Sequence, residues 1–181
     1  MVEQVPFRPA ESDLTEPRTY HPVPIPPRGE IVAWLFTLIL TVLSAVLYLR
    51  VGRLPFWAPL FTFLTLLMAL AIRLSRWLEA NTSIQTAPEG IHYMSPIREH
   101  KFIWDQIKQM SAYQAGNGWR IVVQADEGGF RFQTGTLLKG MRGAEVRTGY
   151  PDGDEIVGQI LRHVDFREPA SDGSSWVWQA S

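Results

Sequence analysis

Two stretches, Ile31–Leu49 and Leu54–Ile72, constrain this chain more than anything else in it. Each is 19 residues long without an Asp, Glu, Lys or Arg, and only Arg50-Val51-Gly52-Arg53 separates them. At about 1.5 Å of rise per residue, 19 helical residues reach roughly 28 Å, close to the hydrocarbon thickness of a bilayer. No water bonds a bare peptide group at that depth, so a crossing segment must close its hydrogen bonds internally, as a helix. The expectation is a two-pass transmembrane helical hairpin over residues 29–77 with a very short turn. Trp34 and Tyr48 near the two ends of the first helix, and Trp57 and Trp77 near those of the second, are expected membrane-interface anchors, because aromatic rings favour that boundary. Pro55 and Pro59 fall in the opening turns of the second helix, where a missing donor costs least. The polar side chains within the runs are Thr37, Thr41, Ser44, Thr62 and Thr65. With no ionisable group they read as an anchor with hydroxyls bonded back to the helix, not as an ion path or proton relay.

Arginines orient the hairpin. Arg50 and Arg53 occupy the turn, whereas Arg18 and Arg28 precede the hairpin and Arg73 and Arg76 follow it. Four against two places both termini in the cytoplasm by the positive-inside rule. The first 30 residues lack an apolar core, so no cleaved signal peptide is expected and the first helix serves as its own insertion signal.

Residues 1–28 are expected to be a disordered, Pro-rich leader. Seven of the 13 prolines lie in the first 30 residues, and Pro22–Pro27 has polyproline-II character with P-x-x-P spacing. It reads as a spacer leading to the membrane.

From residue 78 to 168 the period changes from helical to alternating. Thr82–Thr86, Ile91–Met94, Lys101–Trp104, Gln106–Tyr113, Trp119–Ala125 and Phe130–Thr134 read as strands, with turns at Pro88-Glu89-Gly90, Gly116-Asn117-Gly118 and Asp126–Gly129. Gly135–Gly149 reads as a long basic loop. Asp152 with Glu155 resembles a capping box, and Ile156, Val157, Ile160, Leu161 and Val164 form an apolar stripe at helical spacing. Residues 169–181 read as a flexible tail.

Pro88-Glu89-Gly90-Ile91, Phe102-Ile103-Trp104-Asp105-Gln106-Ile107 and the Ile156–Val164 helix, in that order behind two apolar helices, resemble the bacterial pleckstrin-homology-like domains. The resemblance covers about half the chain. It implies an α+β fold, a bent antiparallel sheet capped by one C-terminal helix, with Trp104 and Ile107 packed and no enzyme activity. The layout is also similar, in architecture alone, to the photosystem I assembly protein of thylakoids.

Chemistry is sparse. There is no Cys, hence no disulfide, thiolate or Cys-based metal site. A net charge of −1 gives no basic field for nucleic acid, and Trp119, Phe130 and Phe132 read as sheet core instead of a base-stacking face. Gly135–Gly140 spaces two glycines like a phosphate loop, but Met141-Arg142 follows where Lys-Ser/Thr is required, so no nucleotide is expected. His21, His92, His100 and His163 show no ligand spacing, although His92 and His100 could meet, and Asp152–Glu155 lacks the remaining calcium-loop positions; no metal or cofactor is expected. Ser83, Ser95 and Ser111 lack a nucleophile elbow, and Asp126-Glu127 is a turn pair, so no catalytic residue is assigned. Two basic clusters remain: Arg98, His100 and Lys101, and Lys139, Arg142 and Arg147. If their loops converge, they could hold an anionic lipid head group or an acidic partner, against a charge balance over residues 79–168 of ten Lys+Arg to twelve Asp+Glu. The expected role is non-catalytic, scaffolding, assembling or regulating a complex of other membrane proteins. A lipid head-group-binding module and a photosystem-assembly-type factor are the alternatives.

Overall fold

A computed structural model describes residues 6–11, 16–24, 26–53, 55–139 and 145–181, with backbone alone at 136–139 and 145–147. The chain divides into two units, residues 25–78 and the remainder.

The smaller unit is a pair of 24-residue helices, α1 (Arg28–Val51) and α2 (Trp57–Ala80), both long and apolar enough to cross a membrane. Gly52 ends α1. At φ +69° it takes the left-handed conformation that glycine adopts without strain, and its N–H bonds the Tyr48 carbonyl at 2.8 Å. Pro55 precedes α2 and Pro59 lies in its first turn. The buried positions are Ala33 and Thr37 on α1 and Ala58 and Ala69 on α2, while most large apolar side chains on both helices are 46 to 82% exposed and Leu40, Leu47, Leu66 and Ile72 are partly covered. Small residues let two backbones approach closely. The hydroxyls are bonded locally, Thr37 to Ala33 O at 2.9 Å, Thr41 to Thr37 O at 2.8 Å and Thr62 to Ala58 O at 2.9 Å. Glu30 in the first turn of α1 pairs with Arg76 and, at 3.6 Å, with Arg73. Tyr48, Trp57 and Trp77 are about half exposed, and Trp34 is partly covered.

The larger unit holds two antiparallel sheets. The first runs β1 (Arg18–Tyr20), β2 (Ser83–Ala87), β3 (Gly90–Met94), β4 (Glu99–Ile103) in spatial order. A single 3-10 turn, Trp104–Gln106, leads out of it. The second contains β5 (Ile107–Ala115), β6 (Gly118–Ala125) and β7 (Gly128–Gln133), extended beyond β5 by β11 (Ser175–Gln179) and β10 (Ala170–Ser171). A ribbon of β8 (Thr136–Lys139) and β9 (Glu145–Thr148) precedes helix α3 (Gly153–His163). Ile84 and Ile91, Ile107, Met110 and Ile121, and Ile156 and Ile160 of α3 belong to one sealed core. Trp104 and Ile107 are buried, and the Trp104 indole stacks on His163 at 4.8 Å and donates to Pro88 O at 3.0 Å.

The structure differs from the sequence expectation in five places. The leader is not a free spacer: β1 pairs with β2 in the register Arg18↔Thr86, Thr19↔Gln85, Tyr20↔Ile84. Phe7 is 6% exposed and meets Trp119 edge-on at 5.8 Å, and Arg162 donates to Ala10 O at 2.8 Å and Glu11 O at 2.9 Å. The prolines permit this because they flank the strand: Arg18-Thr19-Tyr20 lies between Pro17 and Pro22 and holds none itself. The tail is likewise structured, since Trp176 and Trp178 alternate inward and β11 pairs with β5. The helix is therefore not the last element. The basic loop contains the β8–β9 ribbon. Finally, Asp152 makes no capping bond. Its φ −96°, ψ 25° is not the extended conformation that turns a cap side chain back, and Gly153 N–H bonds Tyr150 O at 3.1 Å instead.

Candidate binding cleft

The β3–β4 register decides where the first basic cluster goes. Tyr93 stands opposite His100, and His92 opposite Lys101. Opposed residues share a face of a sheet and successive residues alternate. His92 and His100 therefore lie on opposite faces and do not meet. His92 pairs with Glu99 at 2.9 Å. Arg98 and His100 line one cleft, while Lys101 lines another, of about 460 Å³, beside His92 and Gln85.

The larger cleft, about 880 Å³, lies between the β3–β4 end of the first sheet and β6–β7 of the second. Ser95, Arg98 and His100 approach from one side, Gly129, Phe130 and Arg131 from the other. The Ser95–Arg98 turn is held by reciprocal backbone bonds of 2.8 and 3.2 Å, which fixes where Arg98 emerges. Three of its lining rings belong to one aromatic stack, through the core residue Phe102: Tyr93 on Phe130 at 5.4 Å, Phe130 on Phe102 at 6.0 Å, and Phe102 on His100 at 5.6 Å. Such contacts contribute about 0.5–1.5 kcal/mol each beyond area burial and hold these rings together. No Asp or Glu lines this cleft among the described residues. Its lining carries Arg98 and Arg131, although the unit as a whole is not basic.

Arg131 joins Arg98 and His100 here, and sequence reasoning missed it. Phe130-Arg131-Phe132 shows that Arg131 points away from the core, but not that the edge of β7 lies next to the β3–β4 turn. Of the second basic cluster, Lys139 lies on β8 and Arg147 on β9, with backbone alone described, and Arg142 lies outside the described residues. The expected convergence of the two loops falls outside them too.

The other expectations find plain places. Thr136–Lys139 is a strand, not the loop-to-helix junction on which a phosphate sits. Asp126 pairs with Lys108 at 3.5 Å across exposed surface. Among the described residues no three His, Asp or Glu side chains gather as a metal site. The Tyr150 phenol is pushed far above its ordinary value by burial, with Tyr93 adding to the shift, and its hydroxyl has no partner among the described residues. Tyr150 meets Phe132 edge-on at 5.7 Å and works as core.

Comparison with protein families, with curated proteins and with solved structures finds no match to this chain.

Proposed function

We propose that this chain is a membrane-anchored, non-catalytic module whose pleckstrin-homology-like domain scaffolds, assembles or regulates a complex of other membrane proteins, with both termini cytoplasmic. The observation that carries the reading is the exposure pattern of the hairpin. Ile39, Leu43, Phe61, Phe63 and Leu67 are about half exposed on helices whose fully buried positions are alanine and threonine. A soluble monomer rarely shows an apolar patch above a few hundred Å², whereas lipid covers such a surface at no cost. Glu30, Arg73 and Arg76 lie together at the end of the hairpin away from the turn, as charges at a membrane boundary do.

The pleckstrin-homology-like reading rests on the strand order, the Trp104–Gln106 switch between sheets and the packed α3. The non-catalytic reading rests on the larger cleft, where His100 stacks on Phe102 with no carboxylate to orient it as a base. A lipid head-group module is the second reading, favoured by the same acid-free cations.

Two measurements on the tagged full-length chain test the proposal. It should remain in the membrane fraction after an alkaline carbonate wash, and other membrane proteins should co-purify with it in mild detergent. A chain recovered in the soluble fraction without detergent overturns the anchor. A chain that purifies alone overturns the scaffold.

A further inference from the structure

We infer that the larger cleft binds an extended acidic segment of a partner protein, which adds as a strand to the free edge of β7. The inference rests on the scaffold reading and names the site and the chemistry of its partner.

Hydrogen-bond parity along the two edge strands supports it. β7 and β4 end their sheets, so each has one edge without a neighbouring strand among the described residues. Backbone groups of an antiparallel strand point alternately to its two sides. Thr134 N–H bonds Trp119 O at 2.9 Å, so Thr134 faces β6, and Gln133 O accepts from Tyr150 at 2.9 Å on the other side. Arg131 and Gly129 share the parity of Gln133, so their N–H and C=O groups point to the open edge. On β4 the reciprocal Ser95–Arg98 bonds turn Arg98, His100 and Phe102 toward β3, so Glu99, Lys101 and Ile103 face outward. Gln106 occupies the Ile103 N–H at 3.2 Å. The free edge of β4 is thus engaged at Ile103 and bears Glu99, while that of β7 is engaged at Gln133 by Tyr150 and, among the described residues, open at Gly129 and Arg131.

Three further features select the occupant. Gly128 leaves the start of β7 without a side chain, the His100 ring lying 3.8 Å from where a Cβ would stand, whereas Gly129 is required by β6, since a Cβ there would strike Val123 O. Arg98, His100 and Arg131 line the same cleft with no carboxylate among the described lining residues, which favours an acidic ligand. Tyr93, Ile97 and Phe130 add apolar wall. A lone phosphate or head group would use the cations and leave that wall uncovered. A strand whose cleft-facing residues alternate between acidic and apolar uses both, with main-chain bonds for affinity and alternate side chains for specificity.

The test uses the full chain in phosphatidylcholine nanodiscs and a displayed library of random decapeptides. Enriched peptides should carry acidic residues at alternate positions. The best of them, measured by fluorescence anisotropy, should bind the Arg98→Glu, Arg131→Glu double variant at least about tenfold more weakly. Both substitutions are at exposed positions, and an unchanged melting temperature confirms the fold. On peptide addition, hydrogen exchange at the Gly129 and Arg131 amides should slow, which side-chain attraction alone does not produce. No enrichment, enrichment of basic peptides, equal binding to the double variant, or binding without amide protection each overturns the inference. So does protection of the same amides by phosphatidylglycerol discs without peptide, which assigns the cleft to the membrane surface. Failure of the anchor is read separately: a chain that stays soluble without lipid sinks the anchor and leaves the peptide measurement to run in buffer.

Discussion

Ile84, Ile107, Ile121 and Ile156 of the sheet unit are sealed from solvent, whereas Ile31 and Ile39 of the hairpin stand outside and Ala33, Ala58 and Ala69 lie within. The same side chain faces opposite ways in two parts of one chain. In the sheet unit the driving term is removal of apolar area from water, about 25 cal/mol per Å², which favours the largest side chains at the centre. Between two helices in lipid that term vanishes, because lipid tails are as apolar as leucine. Close backbone approach and local hydroxyl bonds decide the packing instead. On the proposed membrane reading, the difference matches each unit to its own solvent.

The largest expected effect lies in the water-driven unit. Trp178 is buried against Trp176 and Phe7, with ring centroids 6.4 Å away in both cases. Trp178→Ala should cost about 3–5 kcal/mol, lowering the melting temperature in detergent and exposing the leader around Phe7 to protease. If the leader were a free spacer, its cleavage rate would not change, and the packing of Phe7 against the Trp178 strand would fall with it.

A charge on the outside of each unit sharpens the contrast. Leu38 and Tyr113 are both exposed. Tyr113→Arg should change stability by less than about 0.5 kcal/mol, as surface changes in water do. Leu38→Arg should cost about 2.5–3.5 kcal/mol of insertion free energy, read as the inserted fraction in microsomes. Equal tolerance at the two sites would mean that both surfaces face water, and the contrast between the units would collapse.

Legibility in the sequence follows the range of the interactions involved. The hairpin could be read because length, composition and Gly52 are local properties. So could β2 to β7 and α3, whose alternation or helical period spans five residues or more. The leader could not. Its structure depends on pairings with Thr86, Trp119 and Glu155 far along the chain, and a three-residue strand with one inward Tyr20 shows no period. Trp176-Val177-Trp178 did show alternation, but its Ser- and Gly-rich surroundings dominated the reading. The cleft was legible by half. Arg98 and His100 stood out as basic. That Lys101 leaves them follows from strand alternation, and that Arg131 joins them follows only from the meeting of two sheets.

The smallest expected effect concerns whether the tail is an integral part of its sheet. Asp172 accepts from the Ser174 N–H at 3.0 Å, the Ser175 N–H at 2.7 Å and both serine hydroxyls, closing the turn that delivers β11 to β5. These bonds favour the charged form and hold its carboxyl at about 2, below an ordinary value of 3.8. A folded value below the unfolded one means stability that is fully present above about pH 4 and lost as pH falls toward 2. Asp172→Asn keeps the acceptor oxygen and removes the titration. The wild-type melting temperature should therefore fall faster than that of the variant over this window, and hydrogen exchange of the β11 amides should accelerate first. The carboxylate is exposed, so water and salt screen it and the difference will be small. Parallel curves for the two proteins would mean that the turn contributes nothing to seating β11, leaving Trp176 and Trp178 alone to hold the strand, as burial-driven packing of this unit would also allow.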